Sequence, residues 1–376
     1  MKIIDILTES TQLFEARIDH PEDLVFSDGI DGAKRAVEAL TQTAQDEKSI
    51  TIKWDGFPAL IFGRNERGEL IVADKHMFDK KDGSGRVTSP AAFRQYDVNR
   101  GANRNDLYQK IDVLWPALEQ VVPRNDKGYY WGDLLYVGKL KPTKGAFVFR
   151  PNTVTYTVAA NSELGQRISQ SVGGIAVHTF IDASGGTSAL TDISSLGQGP
   201  IMFVSGAMPV KLAIKVDKRA VAQTMAVITK NSAAVTTFLA QLNAIKAKGV
   251  IGALSTYITA KIASGNFDNM IQGFYQYLPS KLSPAAQAKL LGDNRNGWLY
   301  TEGAAGIAGL LQIWSAIYNL KLNIKQQIDA QMASSPVQAT IDGTAGHEGY
   351  VAGSGVDKIK LIDRLAFSRA NFAKTR

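Results

Sequence analysis

The chain has 376 residues, 45% of them hydrophobic, which is enough for a sizeable core and for about two to three domains. Lys and Arg number 42 against 35 Asp and Glu, a net charge of +7 that favours anionic partners, nucleotides and nucleic acid first among them. The absence of Cys excludes disulfides, thiolate zinc sites and Cys nucleophiles; four His disfavour a His-rich metal centre, and no uninterrupted apolar run approaches the ~18 residues of a membrane span.

Met1 to Ala16 reads as a short amphipathic helix, apolar at Ile3, Ile4, Ile6, Leu7 and Leu13, and Asp5 interrupts it too early for a secretory signal. Residues 28 to 46 have helical spacing at Ala33, Val37, Leu40 and Ala44. Alternation then predicts strands at Ser49 to Trp54, Ala59 to Gly63 and, after a turn at Arg67-Gly68, Glu69 to Ala73, an antiparallel meander. Asp106 to Val121 is a helix by Leu107, Ile111, Leu114 and Leu118, and Gly128 to Tyr136 returns as a strand. Further strands are predicted at Ala146 to Phe149, Thr153 to Val158, Gly174 to Phe180 and Ile201 to Val204.

The texture changes near Val216. From Asp217 to Ser335 the sequence is rich in Ala, Leu, Ile, Lys and Gln at helical spacing, divided by Pro279, Pro284 and several Gly into about five helices. This stretch holds eleven basic residues against five acidic ones, nearly all of the excess charge of the chain. Strand-like sequence resumes at Gly346 and ends with Val356 to Ile362, before a short terminal helix. The expected organisation is an N-terminal segment over 1–27, a mixed domain over 28–205, a basic helical insert over 206–337 and the end of the mixed domain over 338–376. The fold class is α+β.

Chemistry enters at Ile52-Lys53-Trp54-Asp55-Gly56, a lysine at a strand end followed by a carboxylate and a glycine. A protonated lysine is a poor nucleophile, so a site that uses one must depress its pKa with neighbouring cations or a metal, and Lys75, Lys358 and Lys360 are candidates for that work. Gly56 would let a phosphate chain or another strand approach the backbone closely.

The order of the short polar motifs along the chain adds weight to that lysine. Lys53-Trp54-Asp55-Gly56, Asp74-Lys75-His76 on the third strand, Trp131-Gly132-Asp133-Leu134, Gly174 to Phe180, Glu348-Gly349-Tyr350-Val351 and Lys358-Ile359-Lys360 succeed one another. That series resembles the ordered motifs of the covalent nucleotidyltransferase superfamily, which comprises ATP-dependent DNA ligases, RNA ligases and mRNA capping enzymes. The last two motifs look most like those of phage RNA ligases. The resemblance covers residues 50 to 180 and 346 to 362 and implies an antiparallel-sheet, ATP-grasp-like ligase domain with an all-α inserted domain.

It also implies roles. Lys53 would attack the α-phosphate of ATP and become lysyl-AMP, with Asp55 beside it in the catalytic motif. Ile52, Gly56 and Lys75 would line the nucleotide site, and His178 or Phe180 would stack on adenine. Asp133 and Glu348 would hold Mg²⁺, its water shell or the ribose hydroxyls, since hard carboxylate oxygens suit that ion. Lys358 and Lys360, two apart on a strand, point to one face and would both reach the α-phosphate. The expected reaction is ATP-dependent polynucleotide ligation, RNA preferred to DNA, with the basic helical insert as the nucleic-acid surface and no membrane partner.

Two departures stand out. Phe57-Pro58 occupies the place where the family has an Arg, and Asp133 the place of a Glu one methylene longer. Sixteen residues follow Lys360, so no OB-fold is expected, which lowers DNA ligases and capping enzymes. Leu13-Phe14-Glu15-Ala16 resembles the Leu/Ile-x-Glu sites trimmed by prohead proteases of tailed phages. The expected location is therefore host cytoplasm, with packaging in a virion as the alternative. The rival functions are nucleotidyl transfer to another acceptor and a catalytically silent packaged phage protein.

Overall fold

A computed structural model of the chain describes residues 20–43, 50–125, 127–190, 192–197, 199–210, 212–247, 249–341, 343–345, 349–353 and 358–365. The helix expected over 1–16, with its Glu15-Ala16 motif, lies outside the described residues. In chain order the first elements are α1 (Leu24–Gln42), β1 (Thr51–Lys53), β2 (Ala59–Arg64), β3 (Leu70–Ala73), α2 (Lys75–Phe78), α3 (Pro90–Asn99) and α4 (Asn105–Val121). Then come β4 (Gly128–Val137), β5 (Ala146–Phe149), β6 (Val154–Ala159), α5 (Glu163–Gln170), β7 (Gly173–Ile181), β8 (Thr187–Ala189), β9 (Ile201–Ser205) and β10 (Ala207–Pro209). Five α-helices succeed them among the described residues: α6 (Lys218–Ala244), α7 (Gly249–Ser264), α8 (Met270–Tyr277), α9 (Pro284–Leu290) and α10 (Ala304–Met332). The last strands are β11 (Val337–Ile341), β12 (Thr344–Ala345), β13 (Gly349–Ala352) and β14 (Ile359–Ile362). The fold is α+β with antiparallel sheets, and no described helix is long and apolar enough to cross a membrane.

The chain divides into two compact units. Unit 1 takes Ile52–Met208 and the described residues from Met332 to Ala345; unit 2 takes the described residues up to Thr51, Pro209–Gln331 and those from Gly349 onward. In this division α1 and the final strands β13 and β14 sort with the helices. The physical reason is the buried stripe of α1, Ala33, Ala36, Val37 and Leu40, which needs an apolar partner and finds α6. Gly29, at φ 61°, breaks α1 where Leu239 of α6 approaches to 3.1 Å of its would-be Cβ.

Unit 1 is built on a sheet of order β3-β2-β4-β7-β8, with β9 pairing in parallel with β7 and the other pairings antiparallel. One face is apolar and covered by α4, whose Leu107, Ile111, Leu114, Leu118 and Val121 are buried. On that face Phe62 of β2 stacks with Tyr130 of β4 at 5.8 Å and Phe203 of β9 at 5.7 Å. Arg64, on the same side of β2 as Phe62, bonds Glu119 Oε1 at 2.7 Å and the Val122 carbonyl at 3.0 Å, which ties the sheet to the end of α4. A second antiparallel sheet has the order β12-β11-β6-β5.

Asp74-Lys75-His76 departs from the expected strand. β3 ends at Ala73, and the Asp74 carboxylate accepts from the Met77 amide at 2.8 Å, capping the single turn α2. Asp74 also pairs with Arg104 at 2.5 Å, and Arg100 and Arg104 hold the fully buried Asp97 at 2.7 and 2.8 Å.

Unit 2 packs its helices around Ile228, Val235, Phe238, Leu310, Trp314 and Ile317, all nearly without exposure. Gly306 of α10 lets α6 come close, since a Cβ there would sit 2.2 Å from Phe238 Cβ. Inside this unit the Lys321 ammonium meets Glu22 Oε1 at 2.5 Å, both side chains having 0% exposure, and Arg364 reaches Asp23 at 2.9 Å. On the unit 2 side of the chain crossing, Val210 N donates to the Ile50 carbonyl at 2.9 Å and Thr51 Oγ1 to the Val351 carbonyl at 3.2 Å. β13 and β14 form a hairpin with Val351 opposite Lys360.

Candidate functional site

The loop that begins at Lys53 is held by its neighbours. By the period of two, Ile52 and Trp54 point inward, at 0% and 3% exposure, while Lys53 between them is half-buried. The burial of Ile52 makes its side chain part of the core. Trp54 packs on Tyr156 with ring centroids 4.8 Å apart. Asp55 is buried, and its carboxylate accepts from Asn152 Nδ2 at 2.8 Å, Thr153 N at 2.6 Å and Val154 N at 2.9 Å. Its own amide donates to the Tyr156 hydroxyl at 2.6 Å. The acidic member of the motif therefore clamps the loop to the start of β6; its oxygens are engaged in charge-assisted bonds to the chain.

Gly56 completes the clamp. An added Cβ would lie 2.5 Å from Asp133 Cβ, so only glycine lets the loop pass against β4 at that residue. The Phe57 amide then donates to the Leu134 carbonyl at 2.9 Å, and the Leu134 amide to the Pro58 carbonyl at 3.0 Å. Phe57, in the position where the resemblance expects Arg, is 64% exposed.

The sheet face opposite α4 carries polar groups. Trp131 and Asp133 alternate on β4, and the Asp133 side chain keeps 30% exposure. His178 Nε2 lies 3.9 Å from Asp133 Oδ2, beyond a hydrogen bond, and His178 Nδ1 is 2.8 Å from Thr179 Oγ1. The His178 and Trp131 rings are 5.5 Å apart, and Lys75 Nζ sits 5.6 Å from the Trp131 ring centre, within cation–π range. Among the described residues Trp131 Nε1 is buried with no hydrogen-bond partner.

A bulge directs His178 to this face. Trp131 pairs with Thr179 but Gly132 with Val177, so one extra residue, His178, is inserted in β7 and the alternation is broken there. The same break separates His178 from Phe180, which pairs with Tyr130 and packs edge-on against its ring at 5.3 Å, on the α4 side. Of the two aromatic candidates for a stacked base, His178 shares a face with Asp133 and Phe180 does not.

The remaining candidates lie elsewhere. Lys358 and Lys360 are half-buried beside the buried Ile359 and Leu361; Lys360 lies on β14, and Lys358 directly precedes the strand. They belong to unit 2, whereas Lys53, Asp55, Gly56, Lys75, Asp133 and His178 belong to unit 1. Glu348 lies outside the described residues. Sequence reading missed Trp131, Thr179 and the Asn152-Thr153-Tyr156 clamp; only Trp131 had a usable signal, its spacing of two from Asp133 on a strand.

Among the described residues no group of three or more His, Asp or Glu is placed to hold a metal ion. Asp133, its side chain 30% exposed, is a hard oxygen donor of the kind that Mg²⁺ takes singly or in pairs while keeping most of its waters.

The chain belongs to DUF6267, a family of unknown function whose model matches residues 15–376. No curated protein and no solved structure matches it.

Proposed function

We propose that this protein is an ATP-dependent nucleotidyltransferase that forms lysyl-AMP on Lys53 and passes the AMP to the 5′-phosphate of a polynucleotide, RNA preferred to DNA, for sealing. The observation that carries the reading is the double anchoring of the Lys53 loop, at Asp55 to β6 and at Gly56 to Asp133. A nucleophile for in-line attack needs a rigid mount beside groups that take charge, and this loop begins at an amine and ends against the Asp133 residue, whose carboxylate lies 3.9 Å from His178. The unpartnered Trp131 donor on the same face adds a polar group that a ligand could engage.

In the first step the neutral Lys53 amine attacks the α-phosphorus, the bond to the bridging oxygen breaks, pyrophosphate leaves and the amine loses a proton to solvent. In the second, a 5′-phosphate oxygen attacks the same phosphorus and Lys53 departs. In the third, a 3′-hydroxyl attacks the activated 5′-phosphate and AMP leaves. Bound Mg²⁺ would neutralise the pyrophosphate, and Asp133 is the described carboxylate suited to hold its water shell. His178 would lie against the base.

The test is incubation with α-labelled ATP and Mg²⁺. A label that survives denaturation, is released by acid and is absent from Lys53→Ala supports the reading; adding 5′-phosphorylated RNA or nicked DNA then separates sealing from transfer to another acceptor. A wild-type protein that takes no label sinks it and favours the silent virion-protein alternative.

A further inference from the structure

Between Asp133 and Glu163 the chain contains no acidic residue, yet it carries Lys139, Lys141, Lys144 and Arg150. The three lysines stand on the loop between β4 and β5, all exposed, and make no ion pair among the described residues. β5 is the last strand of its sheet, so its outer edge is open among the described residues, and Val148 projects from it at 51% exposure between the buried Phe147 and Phe149. The strand joins the lysine loop to the Lys53 loop. One end receives the lysines; the other leads through Arg150, whose Nε donates to the Asn152 carbonyl at 3.3 Å, to Asn152, which holds Asp55. Its four residues span about 13 Å.

We propose that this loop and the open edge of β5 form the docking surface for a single-stranded polynucleotide, its phosphates on Lys139, Lys141 and Lys144 and its end directed toward the Lys53 loop. The identity of the occupant rests on the nucleotidyltransferase reading; the surface itself rests on charge, exposure and strand position. An acid-free basic stretch attracts a polyanion over the range at which phosphates are steered. The competing account is that edge lysines prevent sheet-to-sheet pairing, a known protection for open strands.

The two accounts separate in the full-length variant Lys139→Gln/Lys141→Gln/Lys144→Gln. Binding of a 5′-phosphorylated, 3′-fluorescein single-stranded RNA is followed by anisotropy across a salt series. Docking predicts at least about tenfold weaker binding at low salt and a slope of log affinity against log salt shallower by about 2, roughly 0.7 for each phosphate no longer neutralised. The variant should retain the thermal unfolding of wild type and the labelling of Lys53 by ATP without RNA. Wild-type affinity and slope in the variant overturn the proposal, and self-association of that variant on a sizing column then identifies edge protection as the role of the lysines. A companion variant of α6, Lys218→Gln/Arg219→Gln/Lys230→Gln, should change the slope less; if it removes all of the salt-dependent binding, the loop is not the docking surface. If wild type binds RNA and the loop variant does not, while Lys53 takes no label, the docking surface stands and the nucleotidyltransferase reading falls.

Discussion

The Glu22–Lys321 pair of unit 2 and the Asp133–His178 pair of unit 1 both set an acid beside a base among aromatic rings. In unit 2 the two side chains touch at 2.5 Å with 0% exposure. Burial pushes the Lys321 ammonium below its ordinary range against the opposing pull of Glu22. Arg364 and the Trp314 indole, which donates to Asp23 at 2.9 Å, close the cluster. In unit 1 the pair stands 3.9 Å apart with exposures of 20% and 30%. A charge pair removed from water must recover its desolvation through contact, whereas a loose, partly exposed pair keeps part of its hydration. The first arrangement is closed on itself with Arg364, and the second leaves both side chains partly exposed.

The largest effect should come from breaking the closed pair. Lys321→Ala leaves Glu22 buried beside only Arg364 and should cost about 3–5 kcal/mol in urea unfolding, whereas the joint change Glu22→Leu/Lys321→Met should recover most of it. A small loss in Lys321→Ala would erase the contrast. In unit 1, Asp55→Ala removes the acceptor of three hydrogen bonds and should cost about 2–3 kcal/mol by the same measurement, with ATP labelling of Lys53 abolished. Gly56→Ala is expected to cost about 1–3 kcal/mol through overlap with Asp133 and to reduce labelling further than its stability loss explains, which a labelling assay well below the melting temperature would show.

Acid provides a further comparison. For Asp97 burial alone would raise the carboxyl pKa, but the hydrogen bonds from Arg104 and Arg100 outweigh it and hold the group below the usual carboxylate range. A depressed folded value contributes stability that is complete above the unfolded value of ~3.9 and is lost as pH falls through the folded one. Wild type should therefore lose stability below about pH 4, and Asp97→Asn should flatten that slope in melting curves taken across the range. The smallest effect is at the surface: Arg67, with its side chain 82% exposed, pairs with Glu69, and Arg67→Ala should change stability by under about 0.5 kcal/mol.

Much of this architecture is legible in the chain. The strands β2, β3 and β4, the helix α4 and the helical texture after Val216 follow from apolar spacing, but β1 does not join β2 and β3 in the expected three-strand meander. Spacing does not reveal α2, α3 and α5, which are short and offer few apolar positions; α5 buries only Gly165 and Ile168. Their start signals are nonetheless present, since Ser89 precedes Pro90 and caps the Ala92 amide at 3.1 Å, and Ser162 caps Gly165 at 3.0 Å. At the candidate site, the burial of Ile52 and Trp54 on either side of the half-buried Lys53 follows the strand period. The position of His178 does not, because a bulge violates the alternation on which such reasoning depends, and nothing local to Val177-His178-Thr179 announces it. The assignment of α1 and the last hairpin to unit 2 is a matter of long-range partners, which local patterns do not encode.

Neither unit is one unbroken stretch of polypeptide, and that bears on how the protein is made. A ribosome would release Ile52–Met208 early, yet β6 must wait for β11, which is synthesised after the whole of the long helical stretch. The helices meet the same delay, because Arg364, which joins the acids Glu22 and Asp23, is made after all of them. The nascent chain thus carries an unfinished sheet edge and an incomplete ionic core until those later segments have been made, and neither unit can close while only its first segment is present.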